Sequence, residues 1–192
     1  MTIQLLRPAR AMLPSYVAAL ETAWSPDNLR PAVAAEQLAA IARDADAFLR
    51  GLDDPEAKGG AIVLPDGSRV PRLPGFRRWI WDGEFCGTVG LRWQHGTPDL
   101  PPHVLGHCGY NVVPWKRRRG YATAALGLLL PEARALGLPW IELTTDADNI
   151  VSQRVILGNG GVFVERFEEP GAYGGGIGMR FRIILDPASA TG

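Results

Sequence analysis

One segment of this 192-residue chain combines the residue types that bind phosphate. A β-prone run from Gly109 to Val113 is followed by Pro114-Trp115, by the basic residues Lys116 to Arg119, and by Gly120. An amphipathic segment rich in alanine and leucine then continues to Gly137. This order predicts a strand, a basic turn and a helix, and the first turn of a helix has N–H groups that can bind an anion. Because glycine lets the backbone approach a ligand and arginine adds donors, we expect phosphate to bind here.

The basic run is a weaker signal when it is taken alone. Charged runs commonly face water, and this one could also contact RNA or a membrane surface. The segment lacks the spacing of a Walker loop, G-x-x-x-x-G-K-[ST], and that of a dinucleotide site, G-x-G-x-x-G. The chain has 20 Lys and Arg against 20 Asp and Glu, so a basic patch must be local. Zero net charge, with no stacking aromatics beyond Trp115 and Tyr121, disfavours a nucleic-acid module.

The composition is that of an ordinary globular protein. Hydrophobic residues make up 46% of the chain and charged residues 21%. The longest apolar stretches are too short to span a membrane, and the N-terminal segment does not resemble a signal peptide. Cys86 and Cys108 are too few and too far apart for a disulfide framework or a zinc site. We therefore expect one cytoplasmic domain over residues 1–192, with neither a metal nor a membrane partner.

Hydrophobic periodicity and turn residues predict the elements of this domain. The predicted strands cover residues 3–7, 76–81, 85–93, 103–113, 140–144, 162–167 and 177–185, and the predicted helices cover residues 14–23, 31–52, 120–136 and 149–157. The stretch 53–74 is rich in Pro, Gly and charge and is interpreted mostly as loop. Pro131 should kink or divide the helix that follows Gly120.

Two motifs connect this pattern to a known family. Arg117-Arg-Arg-Gly-Tyr-Ala122 resembles the [QR]-x-x-G-x-[GA] motif of the GCN5-related N-acetyltransferase (GNAT) superfamily. The stretch from Leu143 to Ser152, followed by Gly158-Asn-Gly-Gly161, resembles the second motif of that superfamily: a strand, an N-x-x-S helix and a glycine pair. Within the superfamily, G-H-x-G-Y followed by T-x-D-x-D-N is similar to a bacterial branch of predicted acetyltransferases.

The resemblance implies an α/β (α+β) fold. Its central sheet would be mixed but mostly antiparallel, with about seven strands, one splayed pair among them, and about four flanking helices. Residues 1–104 would carry the helices and loops of the acceptor site, and residues 105–164 the acetyl-CoA-binding core. Residues 165–192 would form a C-terminal hairpin.

The resemblance also implies acetyl-CoA as co-substrate. Its pantetheine arm would lie between the splayed strands and bind backbone groups, and its pyrophosphate would bind the basic turn. Asn149 and Ser152 would contact the pantetheine or the thiol end, although Asn149 also suits the N-cap of a short helix. The residues expected to bind the cofactor are Asn111, Val112, Val113, Arg117, Arg118, Arg119, Gly120, Tyr121, Ala122, Thr123, Asn149 and Ser152.

The implied reaction is attack of a neutral amine on a thioester, which uses a base, donors to the carbonyl and an acid for the leaving thiolate. Many members of the superfamily carry a tyrosine as the acid four residues after the serine, where this chain has Ile156. His107 is the first candidate base because imidazole titrates near neutral pH, and a histidine packed in the sheet is equally compatible with its position. Glu84 is a weaker base, and Tyr110 could relay a proton. Further candidates are Glu142 as base, and Arg92, His95 and Tyr173 as the lining of an acceptor pocket.

We therefore interpret the chain as an acyl-CoA-dependent N-acyltransferase that moves an acetyl group to a primary amine of a small molecule or peptide. Neither cysteine has a nucleophilic setting, so we expect direct attack in a ternary complex. The alternative, which Ile156 keeps open, is a CoA-binding regulatory domain without turnover. A homodimer could form through the apolar strand from Ile177 to Leu185.

Overall fold

The computed structural model describes residues 2–28, 30–64, 67–171 and 175–185. Five α-helices lie in these ranges: α1 (Leu13–Glu21), α2 (Val33–Arg43), α3 (Ala45–Gly51), α4 (Tyr121–Ala135) and α5 (Ile150–Leu157). The same ranges contain the strands β1 (Gln4–Leu6), β2 (Asp53–Asp54), β3 (Ile62–Val63), β4 (Arg69–Val70), β5 (Gly75–Trp81), β6 (Phe85–Arg92), β7 (Cys108–Val112), β8 (Trp140–Asp146), β9 (Val162–Glu168) and β10 (Ile177–Ile184).

The strands form two main antiparallel sheets that meet at one corner. The first has the order β1-β5-β6-β7, with β2 also paired to β5, and the second has the order β8-β10-β9. The two sheets are joined where the N–H of His107, just before β7, donates to the carbonyl of Glu142 in β8 (2.8 Å). Beyond this corner β7 and β8 are not paired as strands, so a gap opens between them. The expected mixed fold with a splayed pair of strands is confirmed.

Helices cover both faces of the sheets. Buried residues of α4 and α5, such as Leu126 and Ile156, form one core with the sheet residues Val89 and Ile141. On the opposite face, α1 supplies Tyr16 to a second core that is rich in aromatic residues. The gap between β7 and β8 therefore has the α4 and α5 side on one face and the α1 and α2 side on the other.

The predicted helix over residues 31–52 is two helices. Asp44 ends α2 in an extended conformation (φ −160°, ψ 96°) and caps α3 by accepting from the N–H of Ala47 (2.9 Å). An aspartate is a strong N-cap because its carboxylate satisfies an N–H that the first turn leaves without a partner. The alanine-rich sequence on both sides of Asp44 predicts one continuous helix, because it carries the same pattern before and after the cap.

Three other expectations need correction. The helix α4 continues through Pro131 and is not divided there. The strand predicted from residue 103 begins only at Cys108. The described part of residues 53–74 is mostly loop, as predicted, and includes the short strands β2, β3 and β4. The strand from Ile177 is β10, which pairs with β8 on one side and β9 on the other. Both edges of this strand are thus occupied over residues 177–182, which argues against the expected pairing between subunits along them, and the homodimer itself stays a prediction.

Candidate functional site

The basic turn between β7 and α4 has a backbone shaped to hold an anion. The chain is left-handed at Arg118 (φ 61°) and again at Gly120 (φ 76°), directly before α4 begins. Gly120 is the N-cap and contributes no side-chain cap, so the first N–H groups of the helix face the turn without one. Arg117, Arg118 and Arg119 are exposed. The predicted residues Tyr121, Ala122 and Thr123 form the first turn of α4.

Lys116, the first residue of the basic run, does not belong to the exposed part of the turn. It is only 7% exposed, and its Nζ lies 2.9 Å from Asp82 and 2.6 Å from Glu84 in the hairpin between β5 and β6. The phenol of Tyr121 also donates to Asp82 (2.7 Å). We call these four side chains the Asp82 cluster. It attaches the basic turn to the hairpin from both ends, through Lys116 before the arginines and Tyr121 after Gly120.

The Asp82 cluster is charged. Burial alone would raise the pKa of the Asp82 carboxyl, but the hydrogen bonds from Tyr121 and Lys116 outweigh it and hold that pKa well below its ordinary value. The hydrogen bond with Glu84 raises the pKa of Lys116. Glu84, a candidate base, is thus held in an ion pair on the side of β6 that lies away from the gap, and this position does not favour a role in proton transfer.

Register determines which backbone groups of β7 face the gap. Val113 donates its N–H to Cys86 in β6 (3.0 Å), and hydrogen-bonded residues alternate along an antiparallel pair. Asn111 therefore bonds β6, whereas the backbone groups of Tyr110 and Val112 point toward β8 and the gap. The Val112 carbonyl accepts from Nε of Arg117 (2.9 Å). Within and beside the predicted Asn111–Val113 segment, it is the backbone groups of Val112 and Tyr110 that face the gap.

Tyr110, Ser152 and Asn149 come together at the gap. The hydroxyl oxygens of Tyr110 and Ser152 lie 2.8 Å apart, and the Tyr110 hydroxyl also reaches the Ser152 carbonyl (3.3 Å). Asn149 caps α5 by accepting from the N–H of Ser152 (3.1 Å), as expected for an asparagine in this position. Burial raises the pKa of Tyr110 to about 12, and the Ser152 hydrogen bond only partly opposes this. Two hydroxyls, both protonated near neutral pH, thus connect strand and helix.

Ile156 lies away from these hydroxyls. Its side chain is fully buried in the core shared by α4, α5 and the sheets. It follows that this position of α5 offers no proton donor and does not line the gap. The hydroxyls of Tyr110 and Ser152 are the groups with exchangeable protons that the structure places at the start of α5.

His107 has both ring nitrogens engaged. Nδ1 accepts from the N–H of Glu142 (3.0 Å), so the proton lies on Nε2, which donates to the carbonyl of Pro98 (3.0 Å). The side chain is 1% exposed, and its burial lowers the pKa. Since a base needs a lone pair that can reach the substrate, this geometry does not favour His107 as the base. It favours the packed histidine that the sequence left open, here joining the two sheets at the corner of the gap.

Two other candidates are occupied or buried. Glu142 accepts from Arg180 (3.0 Å) and Arg182 (2.6 Å) across β8 and β10. Cys108 is 8% exposed, and burial raises the pKa of its thiol to about 12. Glu142 therefore acts as an acceptor between strands, and Cys108 is a core residue.

No motif or spacing in the sequence predicts the contact between Asn111 and Trp24. Asn111 accepts from the indole N–H of Trp24 (3.2 Å) and donates to the carbonyl of Ser25 (2.8 Å). These bonds hold the segment after α1 against β7. They also occupy the side chain of Asn111. The backbone of Asn111, which was expected to bind the cofactor, is paired with Thr88 of β6. Of the residues considered for an acceptor pocket, Arg92 and His95 are exposed. Tyr173 lies outside the described residues.

The described ranges contain no group of three or more His, Cys, Asp or Glu side chains that could hold a metal ion. None of their helices is long and apolar enough to cross a membrane.

Solved acetyltransferases share this fold. The microcin self-immunity acetyltransferase MccE, solved with acetyl-CoA and AMP, superposes with a TM-score of 0.64 at 13% identity, over 95% of this chain and 92% of that one. RimL, an alpha-N-protein acetyltransferase for a ribosomal protein, solved with CoA, gives 0.61 at 15% identity, over 97% and 96%. A spermidine N-acetyltransferase chimera of the Vibrio cholerae and human SSAT enzymes gives 0.60 at 12%, over 96% of each chain.

Sequence comparison agrees with this class. The model of the acetyltransferase (GNAT) domain matches residues 28–162, which is more than half of the chain. The chain therefore belongs to the GNAT acetyltransferase family, and this supports acetyl transfer that depends on acetyl-CoA. No curated protein matches the sequence significantly.

Proposed function

We propose that this protein is an N-acetyltransferase that transfers the acetyl group of acetyl-CoA to a primary amine in a ternary complex. The observation that carries the proposal is the gap between β7 and β8, which has the basic turn at one end and the Tyr110–Ser152 hydroxyl pair at its side. The basic turn, which would bind an anion, and the two hydroxyls, which would donate protons, thus lie at different positions along the gap. A ligand with a pyrophosphate at one end and a thioester at the other fits this arrangement.

The residues of the chain fit such a co-substrate. The pyrophosphate would bind the exposed arginines Arg117 to Arg119 and the N–H groups at the start of α4. The pantetheine amides would bind the backbone of Tyr110 and Val112 as an added strand does. Acetyl-CoA supplies an activated carbonyl and a thiolate leaving group. The protein supplies orientation and hydrogen-bond donors.

The proton donors define the leaving-group side of the reaction. The amine nitrogen bonds to the carbonyl carbon, the carbon–sulfur bond breaks, and the thiolate takes a proton from the Tyr110–Ser152 pair, which then regains a proton from water. The extra proton on nitrogen leaves to water, since both nitrogens of His107 are engaged and Glu84 is held by Lys116. Both cysteines of the chain are buried, which favours direct attack over an acetyl-cysteine route.

Binding of acetyl-CoA is tested by two matched glycine variants. Gly120 and Gly137 lie at opposite ends of α4 with nearly the same left-handed φ, 76° and 79°. Valine is strained at both positions, so Gly120→Val and Gly137→Val should lose similar stability. We expect Gly120→Val to lose acetyl-CoA affinity by at least about tenfold in calorimetry, equal to roughly 1.4 kcal/mol, and Gly137→Val to keep it. Equal affinities for both variants would contradict the proposed phosphate site.

Catalysis is tested by release of free thiol from acetyl-CoA over a panel of primary amines. Thiol release that depends on the amine supports the transferase. The second candidate function is a CoA-binding regulatory domain, which the buried Ile156 and the engaged nitrogens of His107 favour. Tight acetyl-CoA binding without thiol release from any amine would support that candidate instead.

A further inference from the structure

The two faces of β7 at the gap have different neighbours. Tyr110 contacts Ser152 of α5, whereas Asn111 contacts Trp24 and Ser25 after α1. Consecutive residues of a strand point to opposite faces, so these contacts mark the two sides of the gap. In the proposed function the co-substrate and its proton donors occupy the side of α5. The acceptor amine then approaches the thioester from the side of α1.

The side of α1 is closed at Asn111 by an indole. The chain turns at Ala23, whose backbone is left-handed (φ 63°), directly after α1, and Trp24 follows this turn onto β7. The indole N–H donates to Asn111 (3.2 Å), and the Asn111 amide donates to the carbonyl of Ser25 (2.8 Å). Trp24 is 5% exposed, and Asn111 is buried. An indole therefore fills the α1 side of the gap one residue along β7 from Tyr110.

Further contacts fix the orientation of this indole. The ring of Phe85 meets it edge-on, with 5.4 Å between ring centroids and 61° between planes. The ring of Tyr16 does the same at 6.4 Å and 82°. Both rings are buried in the aromatic core beneath α1. Because a core at this packing density resists displacement of its side chains, Trp24 is a fixed boundary of the acceptor side.

We propose that Trp24 determines the class of acceptor by limiting the width of the amine. The nitrogen must reach the acetyl carbon, and the carbon that carries this nitrogen then lies beside the indole. A CH2–NH2 group, as at the end of a lysine side chain, presents hydrogens there, whereas an α-branched amine presents a methyl group or a larger one. Such a branch would have to displace a buried, hydrogen-bonded indole. The preferred acceptor is therefore an unbranched primary amine, and this inference rests on the proposed function.

Isomeric amines that differ only in branching test the width of the site. We compare n-butylamine with sec-butylamine, and phenethylamine with α-methylbenzylamine, by thiol release from acetyl-CoA. The value of kcat/KM should be higher for the unbranched isomer by at least about tenfold, the discrimination that one methylene group gives in a tight pocket. Equal kcat/KM within both pairs would overturn the proposal.

A second readout does not need turnover. Stable analogues join the sulfur of CoA through a CH2–CO unit to the nitrogen of each butylamine, so that CoA itself carries the acceptor carbon to the indole. The dissociation constant from calorimetry should be at least about tenfold lower for the n-butyl analogue than for the sec-butyl analogue. If both analogues bind equally while CoA also binds, the limit on width is wrong. Absence of binding by CoA itself would overturn the proposed function, and the inference with it.

Two variants and a matched control assign the limit to Trp24. Trp24→Leu should reduce the ratio of the two dissociation constants to less than about threefold. Asn111→Leu keeps the indole but removes the bonds with Trp24 and Ser25, so it should reduce the ratio partly, and it decides the matter where Trp24→Leu does not fold. The control, Trp93→Leu, removes an indole that is also 5% exposed from the core on the side of α4 and α5. It should lower Tm and keep the ratio. A ratio that both site variants retain, or that the control reduces equally, would overturn the proposal.

Discussion

The phenol oxygen of Tyr110 on β7 lies 2.8 Å from the hydroxyl oxygen of Ser152 on α5, so one hydrogen bond joins the strand and the helix that border the gap. The bond joins two residues that are 42 positions apart in the sequence. It places a phenol, whose pKa burial raises to about 12, beside an alcohol at the start of a helix. This pair is the structural reason to assign proton donation to the gap although position 156 carries an isoleucine.

Removing either hydroxyl should slow turnover without weakening cofactor binding. We expect Tyr110→Phe and Ser152→Ala each to lower kcat by roughly 10- to 100-fold, because proton transfer to the thiolate loses its donor. The acetyl-CoA dissociation constant should change by less than about threefold, within 0.7 kcal/mol. If the two hydroxyls act as one unit, the double variant should be little slower than the worse single variant. Steady-state kinetics measures kcat, and calorimetry measures the acetyl-CoA dissociation constant. Losses in kcat that add up in the double variant would count against a shared role of the two hydroxyls.

Breaking the Asp82 cluster should loosen the basic turn. In Asp82→Asn, Lys116 keeps one carboxylate partner, Glu84, and the phenol of Tyr121 loses its anionic acceptor. We expect the acetyl-CoA dissociation constant to rise by about tenfold while kcat for bound substrate changes little, since the cluster shapes the turn and does not touch the reacting atoms. Calorimetry and saturation kinetics measure the two effects separately.

The same variant should also melt earlier. Removal of one partner from a buried ion pair costs about 3 kcal/mol, which corresponds to a decrease of roughly 6–12 °C in Tm for a domain of this size. The control is Glu132→Gln. It breaks the more exposed ion pair between Glu132 of α4 and Arg78 of β5. That change should cost little. An unchanged cofactor affinity in Asp82→Asn would show that the cluster is structural only.

Much of the proposed cofactor side of the site can be predicted from local sequence. The turn before Gly120 and the Asn149 cap are contiguous motifs, and helix termini have requirements that neighbouring residues meet. The acceptor side was not readable in this way. The contacts of Asn111 with Trp24 and of Gly90 with Gly109 join distant segments, and they depend on the register of β6 and β7. No composition or spacing signal specifies such register-dependent pairs.

Lys116 and His107 show a second limit of sequence reasoning. Both residue types suggest chemistry when they lie near a phosphate motif. Lys116 is nonetheless buried against Asp82, and both nitrogens of His107 bond backbone groups. Whether the ring nitrogens of His107 and the ammonium of Lys116 are already bonded depends on partners from other segments. For the imidazole of His107 these partners are Pro98 and Glu142. Residue type predicts what a group can do, but only the assembled contacts show whether it is available.

The value of kcat/KM should rise with pH and should not fall again between about pH 6 and 10. With the Tyr110 pKa raised to about 12, the donor stays protonated through the alkaline range below that value. The rising limb of kcat/KM should follow deprotonation of the acceptor amine, so acceptors with lower amine pKa should give curves shifted to lower pH by the same amount. A profile measured between about pH 6 and 10 with two such amines checks this. A limb near pH 6.5 that is identical for both amines would indicate a protein base instead.

His107 should make the protein less stable in mild acid. Burial lowers its folded-state pKa below the ordinary value of 6.5, so between these two values the unfolded chain binds a proton that the folded protein does not. The stabilisation is therefore fully present above pH 6.5 and is lost as the pH falls from 6.5 to the folded-state pKa. Protonation of Nδ1 would set a donor against the N–H of Glu142. The positive charge of Arg92 nearby opposes the added charge on the ring, whereas the negative charge of Glu142 partly offsets this effect.

The free energy of unfolding from urea titrations should decline over this window in the wild type. In His107→Gln, whose amide can still accept and donate, the decline should be smaller, while exposed His95→Gln should keep the wild-type slope. A wild-type slope retained in His107→Gln would show that another group titrates in this range.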